Sequence, residues 1–97
     1  MNKHNWTFLT SHGRVLVYLA NHPKTTTREI GLKAGITERS VQNVIYDLEK
    51  EGYIVRHREG RTNRYMLHPE LPMRHSLEQG HTVGDLLNAL TDEPKAP

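Results

Sequence analysis

Nitrogen-bearing side chains supply most of the chemistry open to this sequence: 97 residues hold seven histidines and thirteen lysines and arginines, with no cysteine. Histidine invites a metal site, but His4, His12, His22, His57, His68, His75 and His81 include no pair at i, i+4 or His-x-His spacing. Carboxylates do not cluster with them in the sequence either, so no metal ligand set is assigned and they read as surface or capping residues. A Gly-rich phosphate loop, a nucleophile motif and a framed carboxylate pair are all missing, so neither an enzyme activity nor a cofactor is expected. Arginine is the feature that remains. Arg56, Arg58, Arg61 and Arg64 fall close together with Glu59 as the only acid among them. Residues 1–68 carry eleven Lys/Arg against six Asp/Glu, whereas residues 69–97 carry two against five, a basic part (+5) ahead of an acidic one (−3). A polyanion would meet the first part, not the second.

A short list of elements must position these groups. Val15, Leu16 and Leu19 mark the buried face of a first helix over about 11–20, with Thr10 or Ser11 as N-cap and Pro23 beyond its end. Thr26-Thr27-Arg28-Glu29 has capping-box spacing and opens a second, short helix that Gly35 ends near Ala34. Thr37 caps a third helix over about 38–51, where Val41, Val44, Ile45 and Leu48 form one stripe and Gly52 is the stop. Residues 53–58 and 63–68 are β-favouring runs around a polar turn with Gly60, hence a β-hairpin. Pro69 and Pro72 argue against regular structure over 68–80. Thr82 then caps a last helix with Val83, Leu86, Leu87 and Leu90 on its apolar face, and residues 92–97 look disordered. The longest apolar run, Val15 to Ala20, is far short of the roughly 20 residues of a membrane span, and no signal peptide precedes it. A cytoplasmic protein is the default expectation.

The stretch REIGLKAGITERSVQNVIYDLEKEGYI, residues 28–54, resembles the winged helix-turn-helix regulators of prokaryotes, the MarR-like and ArsR-like groups above all. Ile30, Ala34, Ile36, Val41 and Val44 stand at the motif's apolar positions, Gly31 where the helices touch and Gly35 at the turn. Leu48-Glu49-Lys50-Glu51-Gly52-Tyr53-Ile54 resembles the entry to the wing and Gly60-Arg61-Thr62-Asn63-Arg64-Tyr65 its tip, so the likeness covers about residues 10–68. Gly31 replaces the more usual alanine at a cost of about 1 kcal/mol in helix propensity, with no expected harm to packing. The expected fold is mainly α with a small β-hairpin: a winged helix-turn-helix of three helices and a two-stranded wing, with an added C-terminal helix. Residues 1–68 form the DNA-binding domain with its N-terminal extension, and 69–91 a loop and helix for dimerisation.

The resemblance implies sequence-specific binding of double-stranded DNA and transcriptional regulation by a homodimer. At about 100° per residue, Arg39, Asn43, Tyr46 and Lys50 lie opposite the third helix's buried stripe, with Gln42 at the edge. Arg39, Gln42, Asn43 and Tyr46 are therefore the candidates for reading bases, and Thr37, Ser40, Lys50, Arg58, Arg61 and Arg64 for the DNA backbone. Trp6, Phe8, Leu16, Leu19, Val83, Leu86, Leu87 and Leu90 are the candidates for a dimer interface. The length leaves little room for an effector pocket of the MarR-like kind, and any small-molecule effector is unknown. A winged helix that binds only protein is the alternative; it would lack a continuous positive surface across the third helix and wing.

Overall fold

Threonine opens each of the four α-helices among the described residues. In the computed structural model, which describes residues 6–91, Thr10 caps α1 (Ser11–Asn21) by accepting from the Gly13 N–H at 3.3 Å. Thr26 caps α2 (Thr27–Ala34), accepting from the Glu29 N–H at 3.1 Å while the Glu29 carboxylate accepts from the Thr26 N–H at 3.2 Å. Thr37 does the same for α3 (Glu38–Lys50) through the Ser40 N–H at 3.0 Å. Thr82 and Asp85 form a second capping box on α4 (Val83–Leu90). Each cap satisfies backbone donors that a helix start leaves without partners, which is why the boundaries fall where the threonines are. The expected disordered tail, residues 92–97, lies outside the described residues.

The sheet is larger than a hairpin. Strands β1 (Lys24–Thr25), β2 (Ile54–Glu59) and β3 (Thr62–Leu67) form an antiparallel sheet in the order β1-β3-β2. β2 and β3 pair from Ile54↔Leu67 to Glu59↔Thr62, so Gly60 and Arg61 alone make the turn. Gly60 has φ 63° and Arg61 a negative φ, the pattern of a type II′ hairpin turn. β1 adds Lys24↔Arg64 and Thr25↔Asn63. It is held by the Tyr65 N–H donating to the Pro23 carbonyl at 2.7 Å and by the buried Thr25 hydroxyl donating to Glu29 at 2.9 Å. The segment 68–82 also departs from expectation, with a 3-10 turn at Ser76–Glu78 and an antiparallel bridge Pro72↔Thr82. Proline costs this bridge nothing, because its hydrogen bonds come from the flanking Met73 N–H to His81 and the Val83 N–H to Leu71.

One core joins all these parts. Val15, Leu19, Ile30, Val41 and Ile54 are at its centre, nearly inaccessible, and the Tyr53 hydroxyl donates to the Pro72 carbonyl at 2.7 Å, fastening the C-terminal segment across the core. Four residues assigned above to a dimer surface belong to this core instead: Leu16, Leu19, Val83 and Leu87 are at most 6% exposed within their own chain. A helical stripe identifies what is buried but not what it is buried against, and here α4 packs on α1 of the same chain.

At Gly31 the packing is tighter than the propensity argument allowed. A Cβ there would stand 2.8 Å from the Ile36 backbone oxygen, and Gly31's own carbonyl accepts from both the Gly35 and Ile36 N–H groups. The α2–α3 turn therefore requires glycine, and the propensity cost expected of Gly31 comes with an approach that alanine would not allow. Gly31→Ala should gain about 1 kcal/mol of propensity but lose more to overlap, for a net destabilisation of about 1–2 kcal/mol. A lower urea midpoint at unchanged m-value would show this, and a stabilised variant would contradict it.

Candidate nucleic-acid interface

The exposed side of α3 follows from its capped start and buried stripe. Arg39, Gln42, Asn43, Tyr46 and Lys50 are all exposed. Arg39, Gln42 and Asn43 have no hydrogen bond or ion pair with other described residues, so their donors and acceptors face solvent. Lys50 Nζ lies 5.9 Å from the centre of the Tyr46 ring, a cation over an aromatic face. At the start of the helix, the Thr37 hydroxyl donates to Ser40 Oγ at 3.0 Å while accepting from the Ser40 N–H. Thr37 is thus committed to the cap.

Strand alternation divides the wing's arginines between two faces. Ile54, Arg56 and Arg58 share a face with their partners Leu67, Tyr65 and Asn63, and the burial of Ile54 and Tyr65 makes it the side turned to the helices. Arg56 Nη2 lies 3.4 Å from Glu49 Oε1, joining this face to α3. Arg58 Nε donates to the Gly60 carbonyl at 2.9 Å, and Arg61 stands exposed at the tip with no partner among the described residues. Arg64 is on the opposite face, its Nε donating to Glu59 Oε2 at 2.9 Å, and Lys24 Nζ lies 3.7 Å from the other Glu59 oxygen. The Arg64 hydrogen bond, helped by the charges of Arg64 and Lys24, holds the Glu59 carboxyl below the usual glutamate range. In the sequence, Arg58, Arg61 and Arg64 form one set of candidates for the DNA backbone. Arg58 lies on the α3 side and Arg61 at the exposed tip, while Arg64 is turned away and paired with Glu59. Arg56, left out of the candidates, sits between Arg58 and α3; the two-residue spacing Ile54, Arg56, Arg58 was the signal for it.

Of the proposed interface residues, Trp6 and Phe8 are 65% and 92% exposed and meet edge to face with ring centres 5.0 Å apart. Leu86 is half-buried and Leu90 is 43% exposed. Phe8, Leu9, Leu86, Ala89 and Leu90 line an apolar groove with Thr7 and Arg14 at its edge. A second cleft, of about 590 Å³, lies between the start of α1, the end of α3 and the 73–86 segment. Several of its polar groups are matched internally, whereas Lys50, which also lines it, has no acid partner among the described residues. His12 Nε2 meets Asp47 at 2.8 Å, Arg74 meets Glu51 at 3.4 Å, and Glu78 accepts from the His75 N–H at 3.0 Å. Among the described residues no group of three or more His, Asp or Glu is placed to hold a metal ion. No described helix is long and apolar enough to cross a membrane.

A family model described as the MarR family matches residues 7–64, from the segment before α1 into β3. No curated protein matches the sequence. The MarR half of the resemblance therefore has a family match behind it, and the ArsR half does not.

The Glu59 geometry can be checked directly. Since its carboxyl is held low by Arg64 first, a side-chain NMR titration should find it ionising below the usual glutamate value and returning upward in Arg64→Gln. A depressed folded-state value contributes stability above the ordinary range that is lost as pH falls through the folded value. An unchanged titration in the variant would mean that the pair does not form in solution.

Proposed function

The chain belongs to the MarR family of winged-helix transcription regulators, and from that premise we propose that it binds double-stranded DNA sequence-specifically as a homodimer in the prokaryotic cytoplasm. α3 enters the major groove and the wing tip meets the backbone or the minor groove. The observation that carries this reading is the set Arg39, Gln42 and Asn43 on α3, unpartnered among the described residues, beside a wing with Arg58 on the same side and Arg61 exposed at its tip. Arginine can pair bidentately with guanine and an amide with adenine, while Tyr46 offers a ring edge and hydroxyl to a neighbouring base. Ser40, Lys50, Arg58 and Arg61, with the N–H groups of the first α3 turn, are the backbone-contacting set. Thr37 and Arg64 complete that set only by sharing bonds they already make.

The proposed dimer surface is the exposed remainder of the original interface assignment: Trp6, Phe8, Leu86 and Leu90, at an apolar groove built from both ends of the described chain. Exposed aromatic area of this kind is costly to leave in water. A two-fold dimer would set its recognition helices about 34–36 Å apart and select a palindromic site.

On a duplex selected by the wild-type protein from a random library, Arg39→Ala and Asn43→Ala should each cost about 1–3 kcal/mol, with affinity for random DNA nearly unchanged. Equal losses on both would remove these residues from base reading. Arg61→Ala should weaken binding to all sequences and make the salt slope shallower by about one unit. For the dimer, Phe8→Asp with Leu90→Asp should give folded monomers by sedimentation and circular dichroism, with most affinity for the selected site lost. A wild-type protein that sediments as a monomer at tens of micromolar would sink the homodimer.

A further inference from the structure

The first turns of α1 present a local conflict. Arg14 lies near the positive end of the helix dipole, and no acid occupies the first turn to offset it. Its guanidinium is occupied elsewhere. Nε donates to the carbonyl of Ala34, the last residue of α2, at 3.0 Å, where the dipole's negative end favours a cation. Nη1 donates to Thr7 Oγ1 at 2.9 Å and to the Leu9 carbonyl at 3.1 Å, and Nη2 reaches Ser11 Oγ at 3.5 Å. One side chain thus bonds to three pieces of chain: the segment before α1, α1 itself and the end of α2. Ala34 directly precedes Gly35, whose φ of 76° turns the chain toward α3. Arg14 also borders the apolar groove that Phe8 and Leu90 line.

We infer that Arg14 is a positioning residue that couples the segment before α1 to the helix-turn-helix turn, so that the placement of that segment is felt at α3. The functional consequence rests on the DNA-binding reading; the coupling itself does not. Lysine keeps the charge but places its three donors on a single nitrogen, so it cannot span the Ala34 carbonyl and the Thr7–Leu9 segment as the planar fork does.

The test uses the full chain as wild type, Arg14→Lys, Thr7→Val and the double variant, each checked for fold by circular dichroism. Hydrogen–deuterium exchange is followed at the Gly35 and Ile36 amides, which donate to the Gly31 carbonyl. Arg14→Lys should speed exchange there. Thr7→Val, more than twenty residues away in sequence, should speed it in the wild-type background and have no further effect in Arg14→Lys; Thr7 is exposed, so this variant keeps the test informative should the lysine variant unfold. On DNA, Arg14→Lys should lose about tenfold affinity for the selected duplex, the loss expected of a charged hydrogen bond, while random-DNA affinity and salt slope stay at wild-type values. Unchanged exchange at residues 35–36 in Arg14→Lys, or an equal Thr7→Val effect in both backgrounds, would overturn the coupling. If the wild type binds no DNA, the proposed function fails while the exchange measurements still decide the role of Arg14.

Discussion

The α-carbon of Gly31 lies so close to the Ile36 carbonyl that a methyl group on it would stand 2.8 Å from that oxygen, and the angle between α2 and α3 follows from this approach. Two N–H groups, from Gly35 and Ile36, converge on the Gly31 carbonyl and close the turn. Thr37 then starts α3 at once. With the turn set, the stripe of Val41, Val44, Ile45 and Leu48 must face α1 and α2, and the polar face of α3 must face outward. The outward face is therefore a consequence of a backbone contact on the inward side.

Charge is distributed with similar economy. The wing holds four arginines, yet Glu49 and Glu59 each take one of them, leaving Arg58 and Arg61 with no acid partner among the described residues. Exposed ion pairs of this type add little to stability. Their effect is on where positive potential remains, at the tip and on the side of the sheet nearest α3.

Much of this was legible in the linear sequence because its signals are local. Helix starts coincide with threonines whose side chains reach backbone amides three residues on, and Gly35 and Gly52 end helices by taking a positive φ. The polar face of α3 follows from periodicity alone. What was not legible depends on partners distant in sequence. β1 is two residues long, too short for any period, and exists because Pro23 and Thr25 find β3. The fate of Arg64 depends on hairpin register, which brings Glu59 opposite Thr62 and turns both Arg64 and Lys24 toward one carboxylate. Leu16, Leu19, Val83 and Leu87 were recognised as apolar, but only the fold reveals that α1 and α4 bury them against each other and the core.

The strand order β1-β3-β2 leaves the outer edge of β2 without a neighbour among the described residues. Such an edge is a template on which another chain can add a strand, and the usual safeguard is charge along it. Here the run Arg56, His57, Arg58 and Glu59 supplies that safeguard. The arginines that shape the wing's potential therefore also act as gatekeepers against sheet extension and aggregation. Under the proposed function, a substitution on this strand would change solubility and DNA affinity through the same side chains, so the two properties would not vary independently.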